Sequence, residues 1–143
     1  MSSPRRSVST LRVRYAETDQ MGVVYHAHYL VWCEIGRTDF LRALGRTYAQ
    51  LEREGVFLAV TDAHVRYLAS ARYDEEIRIE TWIERVQSRA VTFGYEISRT
   101  APAPPARLAV ATTTLVALDS QGTPVRLPAD VLQALRDATM PAP

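Results

Sequence analysis

The chain has 143 residues, with 17 basic against 16 acidic side chains and a formal net charge of +1. Its basic residues are scattered between acidic ones, which excludes the cationic stripe that nucleic-acid binding requires, and no apolar run approaches the roughly 18 residues of a membrane-spanning helix. The length suits one domain over residues 1–143, large enough to bury about 70% of the surface its unfolded chain exposes, so neither a metal nor a disulfide is required to hold it.

Cys33 is the single cysteine; an intrachain disulfide is excluded and the cytoplasm is the expected compartment. The opening MSSPRRSVST lacks the apolar stretch of a secretory leader. All 17 basic residues are arginine, so any phosphate held by a cationic side chain is held by a guanidinium, which can bind it through two parallel hydrogen bonds.

In chain order, Val8, Leu11, Val13 and Tyr15 give an imperfect period of two and predict a strand over residues 8–15. From His26 to Leu44 the spacing becomes helical, with Tyr29, Cys33, Gly36, Phe40 and Ala43 or Leu44 on one face. Gly45 is a C-terminal stop. Thr47 with Gln50 reads as a capping box for a short second helix ending at Gly55.

Strands follow. Val56, Leu58 and Val60 share one face but Ala63, Val65 and Tyr67 share the next, so the register slips near Thr61 and Asp62 and predicts a bulge. Residues 77–84 alternate with Ile77, Ile79 and Ile83 inward, and Val91, Phe93, Tyr95 and Ile97 repeat the pattern after a turn at residues 87–89. APAPPAR is a loop, residues 108–118 form a strand covered on both sides, and Pro128 opens a short helix carrying Val131, Leu132 and Leu135. One long helix followed by a strand meander predicts the α+β class, an antiparallel sheet wrapped around the helix.

Chemistry concentrates in the Thr18-Asp19 segment, just before the long helix. Asp19 reads either as a helix cap or Asx turn, or as a catalytic carboxylate beside a helix N-terminus whose unpaired N–H groups and dipole could hold an oxyanion. His26 and His28 do not chelate a metal together, because residues two apart on a helix point about 200° around the axis from one another, and Cys33 falls on the apolar stripe. A Gly-x-Ser-x-Gly elbow and a glycine-rich phosphate loop are both missing. No metal and no cofactor are expected.

Tyr15, Thr18, Asp19, Gly22, Val23, Val24, Tyr25, His26, Ala27 and Tyr29, followed by Glu34 and Arg37, resemble the signature of the hotdog-fold acyl-CoA thioesterases of the 4-hydroxybenzoyl-CoA thioesterase family, especially the branch associated with the Tol–Pal system. The resemblance implies a hotdog fold, with about five antiparallel strands around one central helix, and a homodimer or homotetramer with sites between subunits. It implies an acyl-CoA substrate and a catalytic group of Asp19, His26 and Tyr15. The backbone N–H groups of His26 and Tyr25 would meet the oxyanion, Glu34 would face the acyl end, and Ser88 and Arg89 would meet the pantetheine and nucleotide of CoA. Ser70, where relatives often carry proline, and His28, where many carry Asn or Ser, depart from the pattern. The alternatives are a carrier-protein thioesterase of the same fold and a non-catalytic acyl-CoA-binding module.

Overall fold

The computed structural model describes residues 6–139. Strand β1 (Arg6–Arg12) leads through a single 3-10 turn at Tyr15–Glu17 to α1 (His28–Ala43) and the short α2 (Tyr48–Arg53). Strands β2 (Phe57–Tyr67), β3 (Glu76–Gln87), β4 (Ala90–Ala101) and β5 (Ala106–Leu118) follow, and α3 (Ala129–Ala138) ends the described chain. The strands form one antiparallel sheet in the order β1-β3-β4-β5-β2. Tight turns join β3, β4 and β5 as a meander at the centre, and β1 and β2 take the two edges. This is the hotdog arrangement, a sheet curled around α1.

The alternation read in the sequence places the core. Ile77, Ile79 and Ile83 of β3 and Val91, Phe93, Tyr95 and Ile97 of β4 are buried, while their outward neighbours Arg78 and Glu84 meet solvent. On α1 the buried face is Tyr29, Trp32, Cys33, Gly36, Arg37, Phe40 and Leu41. This face is wider than the expected stripe, and it contains an arginine. Gly36 sits where helix and sheet come closest: a Cβ there would lie 2.3 Å from Thr81 Oγ1 and 3.0 Å from Ile79 Cγ2. The missing side chain lets α1 lie flat on β3, which outweighs the roughly 1 kcal/mol that a mid-helix glycine costs.

Local signals resolve as expected at several points. The Thr47 hydroxyl accepts from Gln50 N–H at 3.1 Å, and the Gln50 side chain accepts from Thr47 N–H at 3.0 Å, a complete capping box. The pairing of β2 with β5 slips between Val60 and Asp62. Pro128 stands at the start of α3, with Val131 and Leu135 buried. The first strand differs from expectation. It spans Arg6–Arg12, and Tyr15 belongs to the 3-10 turn; Val13 turns inward and its N–H bonds Glu75 O at 3.0 Å, drawing the chain off the sheet edge.

Candidate active site

Asp19 opens a tight turn rather than capping α1. Its N–H bonds Val23 O at 2.9 Å, Gly22 N–H bonds Asp19 O at 3.0 Å, and Gly22 takes the positive φ of +78° that the turn demands. The side chain completes an Asx turn: Oδ1 accepts from Met21 N–H at 2.9 Å. Among the described residues Oδ2 has no hydrogen-bond partner. The carboxylate is thus held by one oxygen, and Asp19 lines a crevice of about 360 Å³ together with Val24, His26, Tyr29, Tyr67 and Leu68.

The loop is anchored by a residue the sequence reading passed over. Glu17 is 3% exposed; its carboxylate accepts from Trp32 Nε1 at 3.0 Å and from Arg14 N–H at 2.8 Å, with Arg14 Nε at 3.6 Å. Its carbonyl accepts from Tyr25 N–H at 2.8 Å. That last bond corrects one expectation. The Tyr25 N–H is committed to Glu17 and is withdrawn from the candidate oxyanion donors.

The N–H of His26, in contrast, forms no hydrogen bond among the described residues. The chain enters α1 through turns in which His28 N–H bonds Tyr25 O at 3.0 Å and Tyr29 N–H bonds His26 O at 3.3 Å. The N-cap, Ala27, supplies no side-chain acceptor. The positive end of α1 is therefore left uncapped at the crevice. Tyr67 steadies this point by donating its hydroxyl to His26 O at 2.8 Å, with its ring edge-on to Tyr29 at 5.1 Å. Burial first, and then Cys33, raise the Tyr67 pKa, so the phenol stays a donor. The His26 ring packs against Tyr25 at 4.3 Å.

Other expected site residues do not join this crevice. Tyr15 is 77% exposed and meets Tyr73 edge-on at 5.7 Å. Ser88 and Arg89 form the β3–β4 turn, where their carbonyls accept from Leu127 N–H at 2.9 Å and Ala117 N–H at 2.8 Å. The Asp19 crevice lies at the other end of the sheet, where Tyr67 pairs with Ala109. Ala117 lies eight positions along β5 from Ala109, roughly 26 Å, so one chain does not bring Arg89 to Asp19. Arg72 does approach, its Nη1 lying 3.9 Å from the Cβ position of Gly22. Glu34 lines a second crevice along α1 and makes no ion pair with Arg37, three residues on.

Cys33 is not a nucleophile, since burial pushes its thiol from an ordinary 9.0 to about 12 despite the opposing pull of Arg37. Among the described residues no three His, Cys, Asp or Glu side chains gather as a metal site.

The family model described as the Thioesterase-like superfamily matches residues 13–135. The chain belongs to this superfamily. YneP of Bacillus subtilis (strain 168) is 45% identical over 91 residues, covering 64% of this chain and 66% of that protein. The acyl-CoA thioester hydrolase YbgC of Escherichia coli O6:H1 is 37% identical over 87 residues, covering 61% and 65%. The matched segments thus span about two thirds of these curated relatives. The crystal structure of a DHNA-CoA thioesterase from Staphylococcus aureus superposes with a TM-score of 0.80 at 34% identity, covering 85% of this chain and 80% of that one.

Proposed function

We propose that this protein hydrolyses acyl-CoA thioesters to free acid and CoA, with Asp19 as the catalytic carboxylate. The observation that carries the proposal is the state of Asp19: one oxygen is fixed by Met21 N–H, the other has no partner among the described residues, and Asp19 shares its crevice with His26, whose N–H is unbonded. The thioester carbonyl oxygen accepts from His26 N–H, and the positive end of α1 stabilises the negative charge that grows there during attack. Asp19 Oδ2 then either attacks the carbonyl carbon, forming a mixed anhydride, or takes a proton from the attacking water. In both routes the carbon–sulfur bond breaks and CoA leaves as the thiolate; in the first, water then cleaves the anhydride, releasing the free acid and restoring the Asp19 carboxylate. Tyr67 holds the peptide of His26 in place during the reaction. The relatives named as acyl-CoA thioesterases support this reading, and the Tyr15–Tyr29 motif supports a place in the Tol–Pal-associated branch.

The proposal includes a homodimer or homotetramer. Among the described residues edge strand β2 is unpaired on its outer side, and Val60, Leu30, Val31 and Ile35 expose apolar surface on β2 and on α1. Antiparallel pairing of β2 with its copy exchanges the two ends of the sheet, carrying Ser88 and Arg89 of one protomer toward Asp19 of the other. The cytoplasm is the compartment this reading assumes.

The deciding experiment is thiol release from a panel of acyl-CoAs, run beside the same acyl groups on a carrier protein. Faster release from CoA is expected. Faster release from the carrier protein would transfer the reading to the carrier-protein class, and no release from either would leave a binding module.

A further inference from the structure

Glu17 is a buried acid to which the proposed reaction gives no task. It is 3% exposed, yet its one ion pair is loose: Arg14 Nε stands 3.6 Å away on a side chain that is 71% exposed, and such a pairing contributes little. What holds the carboxylate is a pair of neutral donors, Trp32 Nε1 at 3.0 Å on Oε2 and Arg14 N–H at 2.8 Å on Oε1. An apolar side chain of similar size would fill the position without a buried charge to satisfy, and replacements of that kind are often neutral or stabilising. Packing therefore does not explain a carboxylate here. Its directed bonds do.

Trp32 is fully buried one turn into α1, with its ring against Tyr29 at 4.9 Å, so its N–H is a fixed point on the helix. Glu17 also reaches the helix entrance by its backbone, where its carbonyl accepts from Tyr25 N–H at 2.8 Å. Asp19 follows Glu17 by two residues and His26 follows Tyr25 directly; Thr18, beside both acids, pairs with Val24 in an isolated bridge. Glu17 thus stands between the two groups that the reaction needs. It is joined to Asp19 through the chain and to the His26 peptide through a hydrogen bond, and the Trp32 bond holds both against the helix. A slide of α1 along the loop would carry the His26 N–H away from the Asp19 carboxylate, and a displacement of about 1 Å can cost about 100-fold in rate.

We propose that Glu17 is a positioning residue for the hydrolysis: through Trp32 Nε1 and Tyr25 N–H it sets the distance between the Asp19 carboxylate and the His26 N–H. The inference rests on the thioesterase reading and adds to it a residue that touches no substrate. Its effect falls on kcat, because the spacing of the two groups matters when charge develops at the carbonyl oxygen and little when the substrate first binds.

The test compares Glu17→Gln, Glu17→Leu and Trp32→Phe with the wild type for thiol release from the acyl-CoA that the wild type turns over fastest. Gln keeps a carbonyl oxygen for one of the two donors, Leu keeps none, and Phe removes the indole N–H while leaving a buried ring. kcat should fall about 10-fold in Glu17→Gln and Trp32→Phe and about 100-fold in Glu17→Leu, with KM unchanged within about twofold. In an Asp19→Asn background the carboxylate is gone and its distance from the His26 N–H no longer counts, so adding Trp32→Phe should lower the residual turnover by less than about twofold. A purely structural role would give the same factor in both backgrounds. That result overturns the proposal, as does a KM that rises as far as kcat falls, or a normal kcat in Glu17→Leu. The indole N–H resonance of Trp32, identified by its loss in Trp32→Phe, gives a readout independent of activity: it should shift in Glu17→Gln and hold its place in Asp19→Asn, and a resonance that Glu17→Gln leaves unmoved also overturns the proposal. If Glu17→Leu does not fold, Glu17→Gln and Trp32→Phe decide by the same criteria. Wild-type protein that releases no thiol from any acyl-CoA refutes the hydrolase reading, whereas an active wild type whose kcat survives these substitutions refutes only the role of Glu17.

Discussion

In the proposed mechanism Asp19 does two jobs with one carboxylate, and this makes it a clean target. Asparagine in its place still presents an oxygen to Met21 N–H, so the Asx turn and the Gly22 corner survive. What is lost is the ability to attack or to take a proton. Asp19→Asn should therefore fold normally and lose at least about 100-fold in kcat. Near-normal turnover would reduce Asp19 to a turn residue. Cys33 offers a second test at the same scale. Burial raises its thiol from 9.0 to about 12, and the Tyr48 phenol moves from 10.0 to about 12 for the same reason. A folded pKa above the unfolded one means that the unfolded chain loses the proton first, so stability is complete below the unfolded value and drains away toward the folded one. The urea midpoint should stay level up to about pH 9 and fall between there and about pH 12. A midpoint level across that window would mean that neither group is buried as described.

Among the elements, α1 carries the most information per residue. Gly36 marks its contact with β3, and a methyl there meets Thr81 Oγ1 and Ile79 Cγ2 inside any normal contact distance. Gly36→Ala should cost about 1–3 kcal/mol through overpacking, in spite of alanine's better helix propensity. Chemical denaturation reads this directly, and a stabilised variant would show that α1 does not lie so close to the sheet. The sequence marked Gly36 as part of an apolar stripe without revealing that the glycine is there for closeness. That Arg37 is buried was not legible, because spacing alone makes an arginine beside an apolar face look solvated. The α2 capping box and the Val60–Asp62 bulge were legible because each is decided by residues within a few positions of one another.

At the scale of the molecule, the separation of Arg89 from Asp19 makes assembly a chemical question. Light scattering should find a dimer or tetramer at assay concentration; an active monomer would rule out a site shared between protomers. Arg89→Ala should raise KM for acyl-CoA more than it lowers kcat, since a remote phosphate contact contributes uniform binding. A mixture of Asp19→Asn and Arg89→Ala chains should recover sites with the low KM of the wild type, each taking Asp19 from one chain and Arg89 from the other. If KM stays normal in Arg89→Ala, Arg72, beside the Asp19 turn of its own chain, is the next phosphate ligand to test.

The sequence by itself determined the class of fold, the inward faces of β3 and β4, the capping box of α2, and the segment that carries the candidate carboxylate. These follow from periodicity and from contacts between near neighbours, which any stretch of chain carries with it. Tertiary structure alone decided that Trp32 holds Glu17, that Tyr25 N–H is committed while His26 N–H is free, that Tyr67 reaches back to His26, and that Ser88 and Arg89 lie at the far end of the sheet. Each of these depends on which distant segments meet and in what register, and a hydrogen bond formed across that distance leaves no periodic trace in the chain.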